Sequence, residues 1–310
     1  MKNSHQAHIA VCIGTHNRPD SLSNTLRSLI RLEVPNDTDI SFIVIDNNRE
    51  RTAEQVVLEF NQISSQDILF IHEEEIGIVN MRNRALTEAT RIGATHLAFI
   101  DDDELATNDW IKELYNALIR YEAQVVQGTT ERVLPEDTPN WLIKSNVLQL
   151  KSHSTGQIRT SAGTRNVLFD LKFINQHNLR FNPVFNFMGS SDSYFFYQAY
   201  LKGAKIVWVD EARVKEVLSK NRVDVGWIIQ RSFRMGVTDF EMKKQLGAYY
   251  SIFNSILMYI LYLFLFALLS ILSLPLSKGI SLKLFLQVAK AAGFIYKMAG
   301  FTYLEYKTNE

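Results

Sequence analysis

From residue 8 to about 130 the chain repeats one pattern: a short apolar run, an abrupt polar stop, then apolar residues at helical spacing. The apolar runs are His8–Gly14, Ile40–Ile45, Ile68–Ile71, Thr95–Ile100 and Val125–Gly128, and they read as strands. Between them, helices are expected from Asp20 (an N-cap, with Leu22, Leu26, Leu29 and Ile30 on one stripe), from about Thr52 (Val56, Val57, Phe60), over Gly77–Ile92 and over Trp110–Tyr121. Strands alternating with helices at these spacings predict a parallel sheet covered by helices. In such open sheets the ligand crevice lies outside the carboxyl ends of the strands.

Polar residues at those ends are therefore the first candidates for chemistry. Leu97-Ala98-Phe99-Ile100 runs straight into Asp101-Asp102-Asp103-Glu104. Bunched carboxylates repel one another, and a cation or bound ligand offsets that repulsion; a solvated turn or a helix cap is the plainer alternative. Thr15-His16-Asn17-Arg18-Pro19 follows the first strand and Asp46-Asn47-Asn48 the second, so all three segments should converge on one crevice. Glu73-Glu74-Glu75 reads as a solvated turn, and the histidines show no metal-ligand spacing. From about 131 to 240 the pattern is less regular: a loop with Pro135, Pro139 and Trp141, a Gly163-Thr164-Arg165-Asn166 turn before Val167–Phe169, a helix from Asp192 to Leu201, a strand at Lys205–Val209, and an amphipathic stretch over Val225–Phe240. Trp141 could stack on a sugar or anchor its loop, and Glu216 could approach the acceptor or the metal but reads more readily as a surface residue.

Formal net charge is zero, which gives no field to steer the chain to nucleic acid. The single cysteine, Cys12, excludes an internal disulfide and a Cys-based metal site and reads as a core residue. Met1 to His8 is polar and has no leader-type apolar core, so the N-terminal part is expected in the cytoplasm. The hydropathy is concentrated elsewhere: no charged residue occurs from Gln245 to Ser277. Its centre, Ile252 to Leu274, is long enough for a bilayer core of roughly 30 Å. Beyond Pro275, Lys283, Lys290 and Lys297 recur every two helical turns, which suits a helix lying in the membrane interface with its lysines toward the headgroups; a second membrane-inserted helix forming a hairpin is the rival. The expected division is a catalytic domain over 1–245 (halves of about 8–130 and 131–240), a membrane-inserted segment over 246–277, and an interfacial tail over 278–310.

Six segments in order, IAVCIGTHNRPDSL, FIVIDNN, EEEIGIVNMRNRAL, LAFIDDDE, GTRNVLF and MGSSDSYFFYQAYLKGAKIVWV, resemble the family-2 inverting glycosyltransferases of the GT-A fold, of the bacterial membrane-associated kind that build cell-envelope glycans. The resemblance covers roughly residues 8 to 235. It implies an α/β fold with a mixed, mostly parallel sheet. It also implies transfer of a sugar from a nucleotide-sugar, a UDP-sugar by expectation, to a hydroxyl of a lipid-linked or cell-envelope glycan at the cytoplasmic membrane, with the catalytic domain facing the cytoplasm. Thr15 and Arg18 would line the nucleotide pocket, Asp46 would hydrogen-bond the base, and Asn17, Arg82 and Asn83 would flank base and diphosphate. Asp101 and Asp103 would be the D-x-D pair, Asp103 holding Mg²⁺ or Mn²⁺ with Asp101 or Asp102 near the ribose and ion. Asp192 would be the general base, although its position equally fits a helix N-cap. The family carries Glu immediately before that Asp and this chain has Ser191, which puts the acceptor class in question; Trp141, Asn166 and Ser191 are the candidate acceptor contacts. Two alternatives stay open: a polyprenyl-phosphate acceptor, and a sugar-nucleotide-binding membrane scaffold without catalysis.

Overall fold

The computed structural model describes residues 7–64 and 67–304; the polar stretch before Ala7 lies outside them. In chain order the elements are β1 (Ala7–Thr15), α1 (Pro19–Leu29), β2 (Thr38–Asp46), α2 (Glu54–Ile63), β3 (Ile68–His72), α3 (Ile78–Arg91), β4 (His96–Asp101), β5 (Glu104–Ala106), α4 (Trp110–Arg120), β6 (Val125–Val133), α5 (Asn140–Ser145), β7 (Ile158–Arg159), β8 (Val167–Asp170), α6 (Leu171–Gln176), α7 (Ser191–Leu201), β9 (Ile206–Val217), α8 (Val225–Gln245), α9 (Tyr249–Ser273) and α10 (Lys278–Met298). Pro19, not Asp20, opens α1: proline suits the first helical position because its missing N–H would have no helical partner there. Asp20 then sits in the first turn, where a carboxylate complements the helix dipole.

The chain divides into two units, one of Met1–Glu131, Lys151–Asn186 and Ser191–Glu216, the other of Arg132–Leu150, Phe187–Ser190 and Val217–Glu310. The expected domain over 1–245 is therefore not continuous: parts of its second half group with the C-terminal helices.

The first unit carries a sheet that, among the described residues, runs in the order β3-β2-β1-β4-β8-β6-β9-β5, with β7 on β9. The strands β3, β2, β1 and β4 are mutually parallel. β8 enters antiparallel between β4 and β6, and β5 and β7 pair antiparallel with β9. The sheet is thus mixed and mostly parallel, as expected: β6 and β9 also run side by side in one direction, the Val125 amide donating to the Lys205 carbonyl at their starts and the Leu218 amide to the Val133 carbonyl at their ends. Strands covered on both faces read as continuous apolar runs, and β1 is buried along nearly its whole length. Ile9, Val11, Ile13, Val44 and Ile100 pack with Leu22 and Leu26 of α1, Val57 of α2 and Trp110 and Leu114 of α4; α3 rests on β1, β2 and β4. Each Leu or Ile sealed this way contributes roughly 1.5–3 kcal/mol.

The second unit holds α5 and the three long helices. Ile228 of α8 packs with Leu282 of α10, Gly236 meets the α10 backbone at Lys290 and Phe294, and Glu241 pairs with Lys297 at 3.3 Å. α8 and α10 are therefore parallel. α9 runs against both: the Ser270 carbonyl accepts from Ser281, while Tyr259 donates to Asp239 of α8 and packs on Phe294 of α10. This corrects the reading of the tail's lysines. Lys283 is exposed, but Lys290 stands 6.0 Å from the Tyr259 ring and Lys297 is held by buried Glu241, because the other two helices present an acid and an aromatic ring to that face.

Candidate active site

Register places the strand ends in one row: Thr15 pairs with Asp46, Asp46 with His72, and Gly14 with Asp101. The chain turns from one side of β1 to the other here, the point at which open α/β sheets leave a crevice. Asp102 is buried under the row. It accepts from the Thr15 hydroxyl at 2.7 Å and from Arg18 at 3.1 Å. Burial pushes its carboxyl above the usual range, and Arg18 and the Thr15 hydrogen bond hold it back. The same Arg18 nitrogen donates to Asp103 at 3.1 Å, and its side chain is 45% exposed, so it caps the acidic edge toward solvent. Asn17 is exposed, with a left-handed φ of 54° that asparagine tolerates better than most residues.

Asp101 reaches solvent, yet protein crowds the rest of it. Burial first, then repulsion by Asp103, pushes its carboxyl up to about 6 against the pull of Arg82 and Arg165. Beneath it, Glu104 is buried, accepting from the Asp101 amide at 3.0 Å and from Thr130 at 3.1 Å. Its pKa is raised well above the ordinary value by burial and then by the Asp101 charge.

A second set of side chains comes from the 163–166 turn and α7. Phe195 stacks on Phe181 at 4.1 Å and Phe196 packs on Phe169, which fixes α7 and so Asp192 in its first turn. One Asp192 oxygen accepts from the Ser193 amide at 2.7 Å, the other more distantly from the Thr164 amide at 3.4 Å. Arg82, buried on α3, donates to Ser191 at 2.6 Å and to Thr164 at 2.5 Å, and its charge acts on Asp101. Arg165 feels Asp101, Glu104, Glu216 and Asp192 together; burial lowers its pKa and these four acids raise it to a net upward shift. The acidic strand end and Asp192 thus share Arg165, while Arg82 links Asp101 to Ser191, the residue before Asp192.

Several residues have other work than expected. Asp46 is 0% exposed, its two oxygens accepting from the Asn48 and Ala53 amides; it braces the loop after β2, and a direct contact to a base is not open to it as it stands. Asn83 exchanges two hydrogen bonds with the Phe181 backbone, a clamp in place of a diphosphate contact. Asn166 is sealed: it donates to the Thr129 and Ala212 carbonyls and accepts from the Trp110 indole at 2.7 Å, so it cannot meet an acceptor. Buried Ser191 is taken by Arg82. Trp141 packs in the second unit with Leu142, Leu148 and Ile228, the loop-anchoring role.

Arg165, Glu104 and Glu216 were the residues missed. Glu216 is buried, not on the surface; it lies opposite Glu104 in the β5–β9 register and 3.9 Å from Arg165. The signal was present: Ala212, Val214 and Glu216 share the inward phase of one alternating strand.

Among the described residues, no group of three or more His, Cys, Asp or Glu side chains is arranged to enclose a metal ion. Asp101 and Asp103 instead offer hard carboxylate oxygens at an open edge. That donor set would suit a hard divalent cation such as Mg²⁺ or Mn²⁺.

The family model for Glycosyl transferase family 2 matches residues 10–190, more than half of the chain. The chain belongs to glycosyl transferase family 2. This glycosyltransferase is also 31% identical to the succinoglycan biosynthesis protein ExoM of Rhizobium meliloti (strain 1021), over 74% of each chain. It is 24% identical to the glycosyltransferase GlyA of Streptococcus pneumoniae serotype 4, over 39% of this chain and 16% of that protein. Its fold is that of residues 1–349 of S. aureus TarS. The complex with UDP-GlcNAc gives a TM-score of 0.55 at 15% identity, over 68% of this chain and 59% of that one. The complex with UDP gives 0.53 at 14%, over 95% and 92%.

Proposed function

We propose that this glycosyltransferase moves a sugar from a nucleoside-diphosphate sugar, a UDP-sugar, to a hydroxyl of a lipid-linked or cell-envelope glycan, with inversion at the anomeric carbon, at the face of a membrane. The observation that supports it most is the pair of arginines between Asp101 and α7: Arg165 feels the charges of both Asp101 and Asp192, and Arg82 acts on Asp101 while bonding to Ser191, the residue before Asp192. A diphosphate has positive charge to meet there, and a base stands beside it. The nucleotide-sugar in the TarS complex and the polysaccharide pathway in the name of ExoM point to the same donor and acceptor classes.

In this reading Arg18 and Thr15 hold Asp102 and Asp103 in place at the donor edge, and Asp101 and Asp103 hold Mg²⁺ or Mn²⁺. That ion supplies Lewis-acid stabilisation of the leaving nucleoside diphosphate. Asp192 takes the proton of the acceptor hydroxyl, fixed by the Ser193 amide and neighboured by the Thr164 amide. Ser191 steadies Arg82 instead of touching the acceptor.

Release of nucleoside diphosphate with Mg²⁺ or Mn²⁺, measured for wild type, Asp103→Ala and Asp192→Asn, tests the assignment. General-base help of this kind is worth roughly 10²–10⁴-fold, so Asp192→Asn should drop turnover by about that factor with a hydroxyl acceptor. A mild effect would point to an acceptor already ionised, such as a polyprenyl phosphate. Unchanged turnover in Asp103→Ala removes the metal assignment, and nucleotide binding without transfer to a broad acceptor panel would leave a scaffold.

A further inference from the structure

By length and composition α9 could cross a membrane: it has 25 residues, and its most apolar window is 17% buried. Its packing argues otherwise. We propose that α9 does not cross but lies along one leaflet, its outer face among the acyl chains and its inner face held by α8 and α10. This rests on the membrane location proposed above and specifies its form.

The end of α9 decides it. Ser270 accepts from Ser281 at the start of α10. Gly279, two residues before Ser281, sits so tightly on α5 that an added Cβ would lie 3.0 Å from Cβ of Ser145. Leu282 shares a cluster with Leu142 of α5 and Ile228 of α8. α5 belongs to the short excursion Arg132–Leu150, with chain of the sheet-bearing unit on both sides of it. One crossing takes about 20 residues of helix, so that excursion cannot go through a bilayer and return. The far end of α9 is therefore on the side of the catalytic unit. At the other end, α9 leaves α8, and its Tyr259 bonds to Asp239. A crossing would drag Arg231, Arg234, Asp239 and Glu241 of α8 into hydrocarbon, where ionisable groups are expensive.

The outward face needs a cover of matching chemistry. Phe253, Leu257, Leu261, Phe264, Leu268 and Leu272 are exposed at steps of three and four, one stripe about 28 Å long at the 1.5 Å helical rise. Tyr249 and Tyr250, 71% and 78% exposed, head the stripe, and exposed Lys244 and Lys278 flank its two ends. Aromatic rings and cations bracketing an apolar stripe are complementary to lipid headgroups above acyl chains.

The test uses full-length protein in sealed membrane vesicles of either orientation, with a membrane-impermeant maleimide. One single-site variant is Lys278→Cys, just past α9; the other is Lys202→Cys, an exposed site on the catalytic unit. The native Cys12 is buried in the sheet, its thiol pKa raised by burial; it stays unlabelled until denaturation and serves as the control. Both introduced cysteines should label from the same face. Labelling of Lys278→Cys only from the opposite face overturns the proposal. So does wild-type protein that fails to sediment with phosphatidylglycerol–phosphatidylethanolamine vesicles and instead runs as a dimer covering α9. Phe264→Glu combined with Phe253→Glu should lose vesicle sedimentation while nucleoside-diphosphate release in detergent is kept; retained sedimentation counts against the proposal. Failure of the glycosyl-transfer reading would show separately, as wild type that releases no nucleoside diphosphate.

Discussion

The two halves of the sheet handle polar groups in opposite ways. In the parallel half, β3-β2-β1-β4, the strands are apolar to their last residues and the polar side chains stand at the ends, in a row with Thr15, Asp46 and Asp101. In the other half, where β8, β5 and β7 run against their neighbours, charge goes inside: Glu104 faces Glu216 across β5 and β9, with Arg165 beside them. Like charges directly opposite in a sheet are destabilising. The pair therefore depends on that guanidinium and on hydrogen bonds such as the one from Thr130. Strand ends can be used for binding at little risk to the fold, whereas charges between strands tie the site to the fold's stability.

The largest effect expected from this contrast is on the mixed side. Arg165→Met leaves two buried glutamates without their cation, and breaking a buried pair costs about 3–5 kcal/mol. With the guanidinium side chain 30% exposed, the lower end is expected in a denaturant titration, alongside a fall in turnover. If stability is unchanged, the contrast fails. Next comes Asn166→Ala, which strips partners from Trp110, Thr129 and Ala212; each buried group left unpaired costs roughly 1–3 kcal/mol. Its signature is a lowered denaturation midpoint with KM for the acceptor unchanged in the folded fraction.

Arg18→Ala is the counterpart at the parallel strand ends. Its half-exposed ion pairs should be worth at most about 1 kcal/mol, so stability should barely move while KM for the nucleotide-sugar rises. The pH dependence comes next. Asp101 and Glu104 both have folded pKa values raised above the unfolded ones. The folded state then binds more protons, and metal-free stability should fall as pH rises from the ordinary carboxyl range, about 4, through about 6 for Asp101. Glu104→Gln should flatten that fall in midpoints taken across the window; an unaltered slope would remove Glu104 from it. The smallest effect belongs to exposed Glu74. Glu74→Ala should stay within about 0.5 kcal/mol of wild type, with unchanged turnover.

The same contrast explains what was legible. The parallel half is written in hydrophobic runs with sharp polar stops, and β1 to β4 and α1 to α4 are recovered nearly to the residue. Thr15, Arg18, Asp101, Asp102 and Asp103 are brought together because register does that automatically once the strands are parallel. The mixed half gave less warning. β5 begins inside the acidic run that marks the end of β4, and β9 continues eight residues past Val209, where its buried run gives way to alternation. Asn166 reads from the sequence as a turn residue and a candidate acceptor contact. Only the fold shows that its side chain fills the space left by Gly128, where an added Cβ would stand 2.5 Å from its Oδ1. In the helical unit, hydropathy found α9 but could not reveal which way it runs, because direction is written in contacts such as Tyr259 with Asp239.

Those contacts bear on how the protein can be shortened. Hydropathy invites a cut near Gln245 to obtain a soluble enzyme. Gly236 of α8, however, has no side chain because α10 occupies the place: an added Cβ would lie 1.8 Å from the Lys290 carbonyl oxygen, and Gly293 is notched in the same way against Phe233. Cutting at 245 would bare that groove and strand Glu241 without its lysine, trading one greasy surface for another. Solubility is better sought by leaving all three helices in place and recolouring the outer stripe of α9 with polar residues.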